Sequence, residues 1–124
     1  MKKTISIIMV TLITGCITFF RKPPNSLFLA IERNNGQKVT QILANTEPFN
    51  LNAESNSWGR GTPLQFAVRK NRPQIVEILL KHGADPAIGF RYEHLLNYAA
   101  KRGFMRTAEL LVRSILRLAT TLRH

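Results

Sequence analysis

The sequence of 124 residues predicts an all-α protein, a short solenoid of helix pairs with hairpin loops, preceded by an N-terminal signal or anchor segment. Apolar residues recur at helical spacing in three stretches, and prolines and glycines stand where such helices would begin and end. A folded part of about 100 residues gains little stability from its own core, which favours a local architecture of stacked neighbours.

The clearest helix pair is predicted in the middle of the chain. Thr62 is expected to cap the first helix, Pro63 to preset its first turn and Gln65 to complete a capping box. Small Ala67 permits close packing, and Gly83 is expected to end the second helix in a left-handed conformation. An apolar stripe marks the second helix. The stripe consists of Ile75, Val76, Leu79 and Leu80.

The same offsets recur on both sides of this pair, with Ala30 and Ala99 at the positions equivalent to Ala67. Three repeats are therefore predicted, at about 24–56, 57–89 and 90–124, within one domain of residues 25–124. The flanking repeats carry matching apolar residues. These are Leu27, Val39, Ile42 and Leu43 in the first repeat, and Leu96, Ala108, Leu111 and Val112 in the third.

The run Gly-Thr-Pro-Leu-Gln-Phe-Ala-Val at 61–68, followed by the apolar helix and Gly-Ala-Asp-Pro at 83–86, resembles the ankyrin repeat. The resemblance covers roughly residues 25–113, with Gln65 where the family usually has histidine. It implies a protein-binding module. It also implies that the hairpin tips and the exposed ends of the first helices form a concave binding face.

On that implied face, aromatic and basic residues occupy equivalent places in successive repeats. Trp, Tyr and Arg dominate interface hot spots, and the paired basic residues would form a positive stripe that attracts an acidic partner. Two alternatives stay open: the aromatic rings cover the edge of the stack, or the cations only solvate a surface. The predicted protein-binding residues are Trp58, Arg60, Arg69, Lys70, Phe90, Arg91, Tyr92, Lys101 and Arg102.

The C-terminal stretch predicts a helix longer than a second ankyrin helix needs to be. We expect its added turns to cap the open end of the stack. The alternative is a basic amphipathic helix that docks on a membrane surface or on a partner. Its apolar stripe consists of Phe104, Ala108, Leu111, Ile115, Leu118 and Leu122, with Arg106, Arg113 and Arg117 opposite.

The N-terminus predicts a bacterial lipoprotein signal peptide at residues 1–15. Two lysines precede an apolar run at 5–13, and the segment Leu-Ile-Thr-Gly-Cys at 12–16 resembles a lipobox, in which Cys16 receives the acyl chains, palmitate among them. Residues 16–24 would then tether the domain to the membrane, and Ile17 favours the outer membrane. An uncleaved signal anchor is the alternative. Both place the domain in the periplasm of the cell envelope.

The amino-acid composition restricts the classes of binding partner that are expected for this protein. Eighteen Lys and Arg against seven Asp and Glu give a formal net charge of +11, which favours an acidic partner. One cysteine excludes an internal disulfide, and no Cys and His cluster has metal-ligand spacing. The histidines lack a matching acid and base constellation, so no enzyme, cofactor or small-molecule substrate is predicted. Export disfavours nucleic acid as a partner.

Two functions remain open for such a module. Small lipid-anchored ankyrin proteins resemble immunity proteins that neutralise periplasm-acting toxic effectors such as phospholipases. Tethering raises the local concentration of the inhibitor at the membrane that the effector attacks, and a rigid binding face can block the effector's active site without catalysing a reaction. The alternative is a scaffold or adaptor that holds an envelope protein complex together.

Overall fold

A computed structural model describes residues 21–45, 48–55, 59–90 and 93–122. These residues form consecutive pairs of helices, and neighbouring pairs stack side by side. In the same residues, β structure is limited to one bridge between Phe90 and Glu93. The predicted all-α solenoid is confirmed. Its helices are α1 (Asn25–Glu32), α2 (Gly36–Asn45), α3 (Pro63–Arg69), α4 (Pro73–Lys81), α5 (Leu95–Lys101) and α6 (Met105–Leu122).

The ends of the middle pair are fixed by the local contacts that the sequence predicts. The backbone N–H of Gln65 donates to the Thr62 hydroxyl at 3.2 Å, and the backbone N–H of Thr62 donates to the side-chain oxygen of Gln65 at 2.8 Å. Pro63 follows as the first residue of α3. Gly83 has a φ of +96°, so it terminates α4 in the left-handed region. The predicted capping box and glycine stop are confirmed.

All three pairs turn from the first helix to the second in the same way. The residue that directly follows the C-cap of the first helix has a positive φ: 56° at Asn34, 54° at Asn71 and 74° at Gly103. The next amide then donates to the carbonyl of a buried alanine, with N to O distances of 2.9 to 3.0 Å. Since the acceptors are Ala30, Ala67 and Ala99, the predicted register of the repeats is confirmed.

One continuous core runs between the pairs. The stripe of α4 is buried at Ile75, Val76 and Leu79, as predicted, and Leu80 is half-buried. In the third repeat, Leu95 is the buried leucine, and Leu96 is only half-buried. Leu95 takes the place of the buried Pro63, and Leu96 that of Leu64, whose helix packs between two flanking repeats, whereas the described residues place a repeat on only one side of α5.

Gln65 connects the second repeat to the third. Its side-chain nitrogen donates to the carbonyl of Gly89, in the following hairpin, while its oxygen remains bonded to Thr62. Gly89 itself has no room for a side chain, because a Cβ there would lie 2.7 Å from the Glu93 carbonyl oxygen. An amide side chain that both donates and accepts therefore supplies contacts at the position where the family usually has histidine.

Helix α6 packs on the stack through its first half only. Thr107, Leu110 and Leu111 are buried, whereas Ile115 and Leu118 are 39% and 48% exposed. The helix has 18 residues and α4 has 9, so the added turns extend past their neighbour instead of covering the stack. None of the described helices is both long and apolar enough to cross a bilayer.

A candidate protein-binding face of cations and aromatic rings

The structure describes part of the predicted binding face. Four predicted functional residues, Cys16, Trp58, Arg91 and Tyr92, lie outside the described residues. The remaining predicted residues lie on the hairpins and at the ends of α3 and α5, as the resemblance implied. They are Arg60, Arg69, Lys70, Phe90, Lys101 and Arg102.

A first cluster joins the first and second repeats and consists of Phe28, Arg60, Phe66 and Lys70. The rings of Phe28 and Phe66 meet edge to face, with centroids 5.6 Å apart. The Arg60 guanidinium carbon lies 5.5 Å from the Phe28 centroid and 6.0 Å from that of Phe66, and the Lys70 ammonium lies 5.5 Å from the Phe66 centroid. Both cations are thus held by attraction to the negative faces of the rings.

A second cluster joins the second and third repeats and consists of Arg69, Phe90, Tyr98 and Arg102. Phe90 and Tyr98 pack with centroids 4.6 Å apart. Arg69 lies 5.4 Å from the Phe90 centroid, and Arg102 stacks 3.7 Å from that of Tyr98. Phe90 is half-buried in this arrangement, so its ring covers the edge of the stack and offers a partner only its outer part.

Side-chain hydrogen bonds fix two of the arginines further. An Arg60 nitrogen lies 3.4 Å from the Asn25 side-chain oxygen, and Arg69 donates to the carbonyl of Gly59. Because Gly59 directly precedes Arg60, the bond from Arg69 links the two clusters. The clusters, together with Lys101, form a surface that we call the cation–aromatic face.

Two carboxylates lie on this face, and each contacts a lysine. Lys70 approaches Glu32 to 3.9 Å, and Lys101 approaches Glu93 to 2.9 Å. The Lys70–Glu32 pair is exposed and worth little by itself, about 0 to 1 kcal/mol, whereas Glu93 is half-buried beside an exposed Lys101. The three arginines of the face contact rings and neutral oxygens in the bonds described above. The face therefore keeps a surplus of positive charge.

Three rings of the face were not predicted as functional from the sequence: Phe28, Phe66 and Tyr98. A signal was available, since Phe66 and Tyr98 each directly precede the small alanine of their repeat. A residue at that position lies beside the buried alanine and about one turn before the basic residues that end the helix. The rings are buried or half-buried, so their role here is to support cations.

The chemical capacity of the face is recognition of carboxylates. A guanidinium that stacks on a ring keeps its N–H edges available, and these edges match a carboxylate with two parallel hydrogen bonds. In the described residues, no group of three His, Cys, Asp or Glu side chains could hold a metal ion. Holding the cations in advance reduces the ordering cost of binding, by about 0.5 to 1.5 kcal/mol per side chain.

Helix pairs that pack consecutively and stack on their neighbours define a helical repeat protein. The chain belongs to the ankyrin-repeat family, because the model of that family described as Ankyrin repeats (3 copies) matches residues 8–90. The family is typically a non-catalytic protein-interaction module, and protein binding follows for this chain. The match overlaps the segment predicted as a signal peptide, and it ends before α5.

Two curated relatives are similar over a shorter stretch. The 2-5A-dependent ribonuclease of Homo sapiens is 39% identical over 62 residues, and that of Mus musculus is 40% identical over 62 residues. The matched stretch is 50% of this chain but only 8% of each relative. The activity in their name therefore describes those whole proteins, and the shared stretch supports the repeat architecture.

Proposed function

We propose that the cation–aromatic face binds an acidic surface of a partner protein. The observation that carries this proposal is the fixed orientation of Arg60, Arg69 and Arg102 on rings from three different repeats. Cations that only solvated a surface would have no need of such support. A net charge of +11 adds long-range attraction toward an acidic surface and would raise the association rate at low salt.

We further propose that the domain works as an immunity protein in a bacterial envelope, bound to a toxic effector such as a phospholipase. The lipobox-like segment at 12–16 supports anchoring through Cys16, on the periplasmic face of the outer membrane. A rigid binding face held near the bilayer that the effector attacks is suited to inhibit the effector by covering its active site. The second candidate is a scaffold of an envelope complex, which the same face would serve.

Charge reversal tests the binding face. The double variant Arg69→Glu with Arg102→Glu should lower the association rate for the partner by tenfold or more at low salt, because it replaces attraction by repulsion. Lys101 is left unchanged, since a glutamate there would also face Glu93. The measurement is surface plasmon resonance with the partner that the tagged full chain captures from envelope extracts, at several NaCl concentrations.

The matched control is Lys38→Glu with Lys81→Glu, on exposed sites of α2 and α4 away from the face. Lys81 lies 3.7 Å from Glu77 one helical turn away, so its reversal should cost at most about 0.5 kcal/mol. Both double variants change the net charge from +11 by the same amount. The control should bind nearly as the wild type does. Equal losses in both variants would assign the effect to total charge and would contradict the proposed face.

Loss of protection separates the two candidate functions. In cells exposed to the effector, the Arg69→Glu and Arg102→Glu variant should fail to protect, although it is still exported. If cells without the chain lose envelope integrity when no effector is present, the scaffold is favoured instead. Far-UV circular dichroism should show unchanged helix content, since both arginine heads lie at the surface.

Lipid attachment gives an independent prediction. Cys16→Ser should abolish incorporation of labelled palmitate and leave a protein of precursor size, because in a lipobox the cysteine thiol receives the diacylglyceryl group that carries the acyl chains. Metabolic labelling followed by gel electrophoresis measures both effects. Wild-type labelling and size in the variant would reject the lipoprotein proposal, while the binding face would remain to be judged by charge reversal.

A further inference from the structure

The outer side of α6, at the end of the stack, carries a strip of uncovered apolar side chains. We call Met105, Val112, Ile115 and Leu116 the end strip. Their exposed fractions are 73%, 38%, 39% and 60%. Spacings of three, four and seven residues place these side chains on one side of a helix. Neighbouring apolar side chains exposed on one side of a helix often mark an interaction site, so the end strip requires an explanation.

The equivalent positions inside the stack are covered by the next helix. Met105 and Val112 on α6 correspond to Pro73 and Leu80 on α4, by the shared register of the turns. Pro73 and Leu80 are half-buried, and Leu80 lines a shallow groove against α6. The end strip thus repeats the apolar character of a surface that, one repeat earlier, receives a helix.

Positive charge borders the strip along one edge. Helical geometry of 100° per residue places Arg106 and Arg113 beside the strip on the side of Leu116. Glu109 lies at 3.5 Å from Arg106 and 2.6 Å from Arg113. Arg113 and Arg117 also line the groove against α4 together with Glu77 and Lys81, so four cations and two carboxylates lie along this edge. The surplus favours an occupant with acidic residues beside its apolar contact.

A second copy of the chain and a bilayer fit these observations less well. Two copies would bring together chains that each carry a net charge of +11. Helices that lie on membranes carry Trp, Phe and Leu on the apolar face, whereas the end strip has no aromatic side chain and one leucine among its four residues.

We propose that the end strip binds an amphipathic α-helix of a partner protein, whose apolar face is bordered by Asp or Glu. The helix would pack on α6 much as α6 packs on α4, with its acidic edge on the arginine side. A narrow apolar strip suits one helix better than a whole domain. This second surface lies apart from the cation–aromatic face, so it does not depend on the function proposed above.

Two synthetic helical peptides test the proposal with the full chain. Each has about three heptads with Leu at positions a and d, and the flanking positions are Glu in one peptide and Lys in the other. By fluorescence anisotropy, the Glu peptide should bind at least tenfold more tightly than the Lys peptide. Val112→Gln with Leu116→Gln should weaken binding of the Glu peptide by tenfold or more.

Two control variants localise the effect. Leu29→Gln removes a 42% exposed leucine from α1, at the opposite end of the stack, and should leave binding of the Glu peptide unchanged. Arg69→Glu with Arg102→Glu should also leave most of that binding intact, since the second cluster lies elsewhere. A large loss in the arginine variant would instead place the peptide on the cation–aromatic face and would overturn the proposal.

Other outcomes would overturn it as well. Equal affinity for both peptides would show that the arginines do not select an acidic helix. Unchanged binding of the Glu peptide by Val112→Gln with Leu116→Gln would show that the end strip is not its binding site. Binding to phosphatidylglycerol vesicles that this variant loses would identify a bilayer as the occupant. A concentration-dependent dimer in analytical ultracentrifugation, lost in the same variant, would identify a second copy. Melting curves confirm that each variant is folded.

Discussion

Ala67→Glu should leave the full chain largely unfolded at 25 °C. Ala67 is completely buried where α3 packs against its neighbours, and the added carboxylate would have neither space nor a partner. An uncompensated buried charge and the displaced neighbours together cost at least about 4 kcal/mol. A small domain has about 5 kcal/mol of total stability, so little would remain. Far-UV circular dichroism during urea titration measures the loss.

Ala100→Glu is the matched control for this prediction. The same substitution is made on α5, at an exposed alanine one residue beyond the equivalent of Ala67. The added glutamate reaches solvent there and should change the free energy of unfolding by about 0.5 kcal/mol or less. A cooperative, wild-type melting transition in Ala67→Glu would contradict the packing described for α3.

Gln65→Ala should lower the free energy of unfolding by about 2 to 3 kcal/mol. The truncation removes both the acceptor for the Thr62 amide and the donor to the Gly89 carbonyl. Since Thr62 is buried, its amide would lose its partner without gaining water. The melting temperature should fall by roughly 10 °C or more for a domain of this size. Differential scanning calorimetry measures both quantities.

Gln65→His separates the hydrogen bonds from the volume of the side chain. One imidazole nitrogen can accept from Thr62 while the other donates to Gly89, so this variant should retain most of the stability lost in Gln65→Ala. Gln74→Ala, at an exposed glutamine on α4, should be nearly neutral. If histidine is as damaging as alanine, the link between repeats does not depend on these two bonds.

The repeat architecture was predictable because its determinants are local. Thr62, Pro63 and Gln65 specify a helix start within four residues, and Gly83 specifies a helix end by its own conformation. The equivalence of Ala30, Ala67 and Ala99 followed from their spacing in the sequence alone. By contrast, the half-burial of Leu96, which is equivalent to the buried Leu64, depends on the repeats that flank its helix, and local sequence does not specify these.

The candidate site was predictable only in outline. The basic helix ends follow from the repeat register, so Arg69, Lys70 and Arg102 could be named from the sequence. Their supporting rings could not, because Arg60 meets Phe28 across a separation of more than thirty residues, a contact created by stacking. The exposure of α6 beyond Leu111 also depends on the shorter length of α4.

The pairing of consecutive helices has a consequence for how the chain reaches its fold. Each first helix meets its second helix across a turn of a few residues, and the main contacts between pairs in the described residues join neighbouring pairs. Contacts of this kind have low contact order and form quickly, since little loop entropy is lost. The domain can therefore fold one helix pair at a time, in the order in which its residues emerge from a ribosome or from a secretion channel. Each new pair packs on the pair that has already folded.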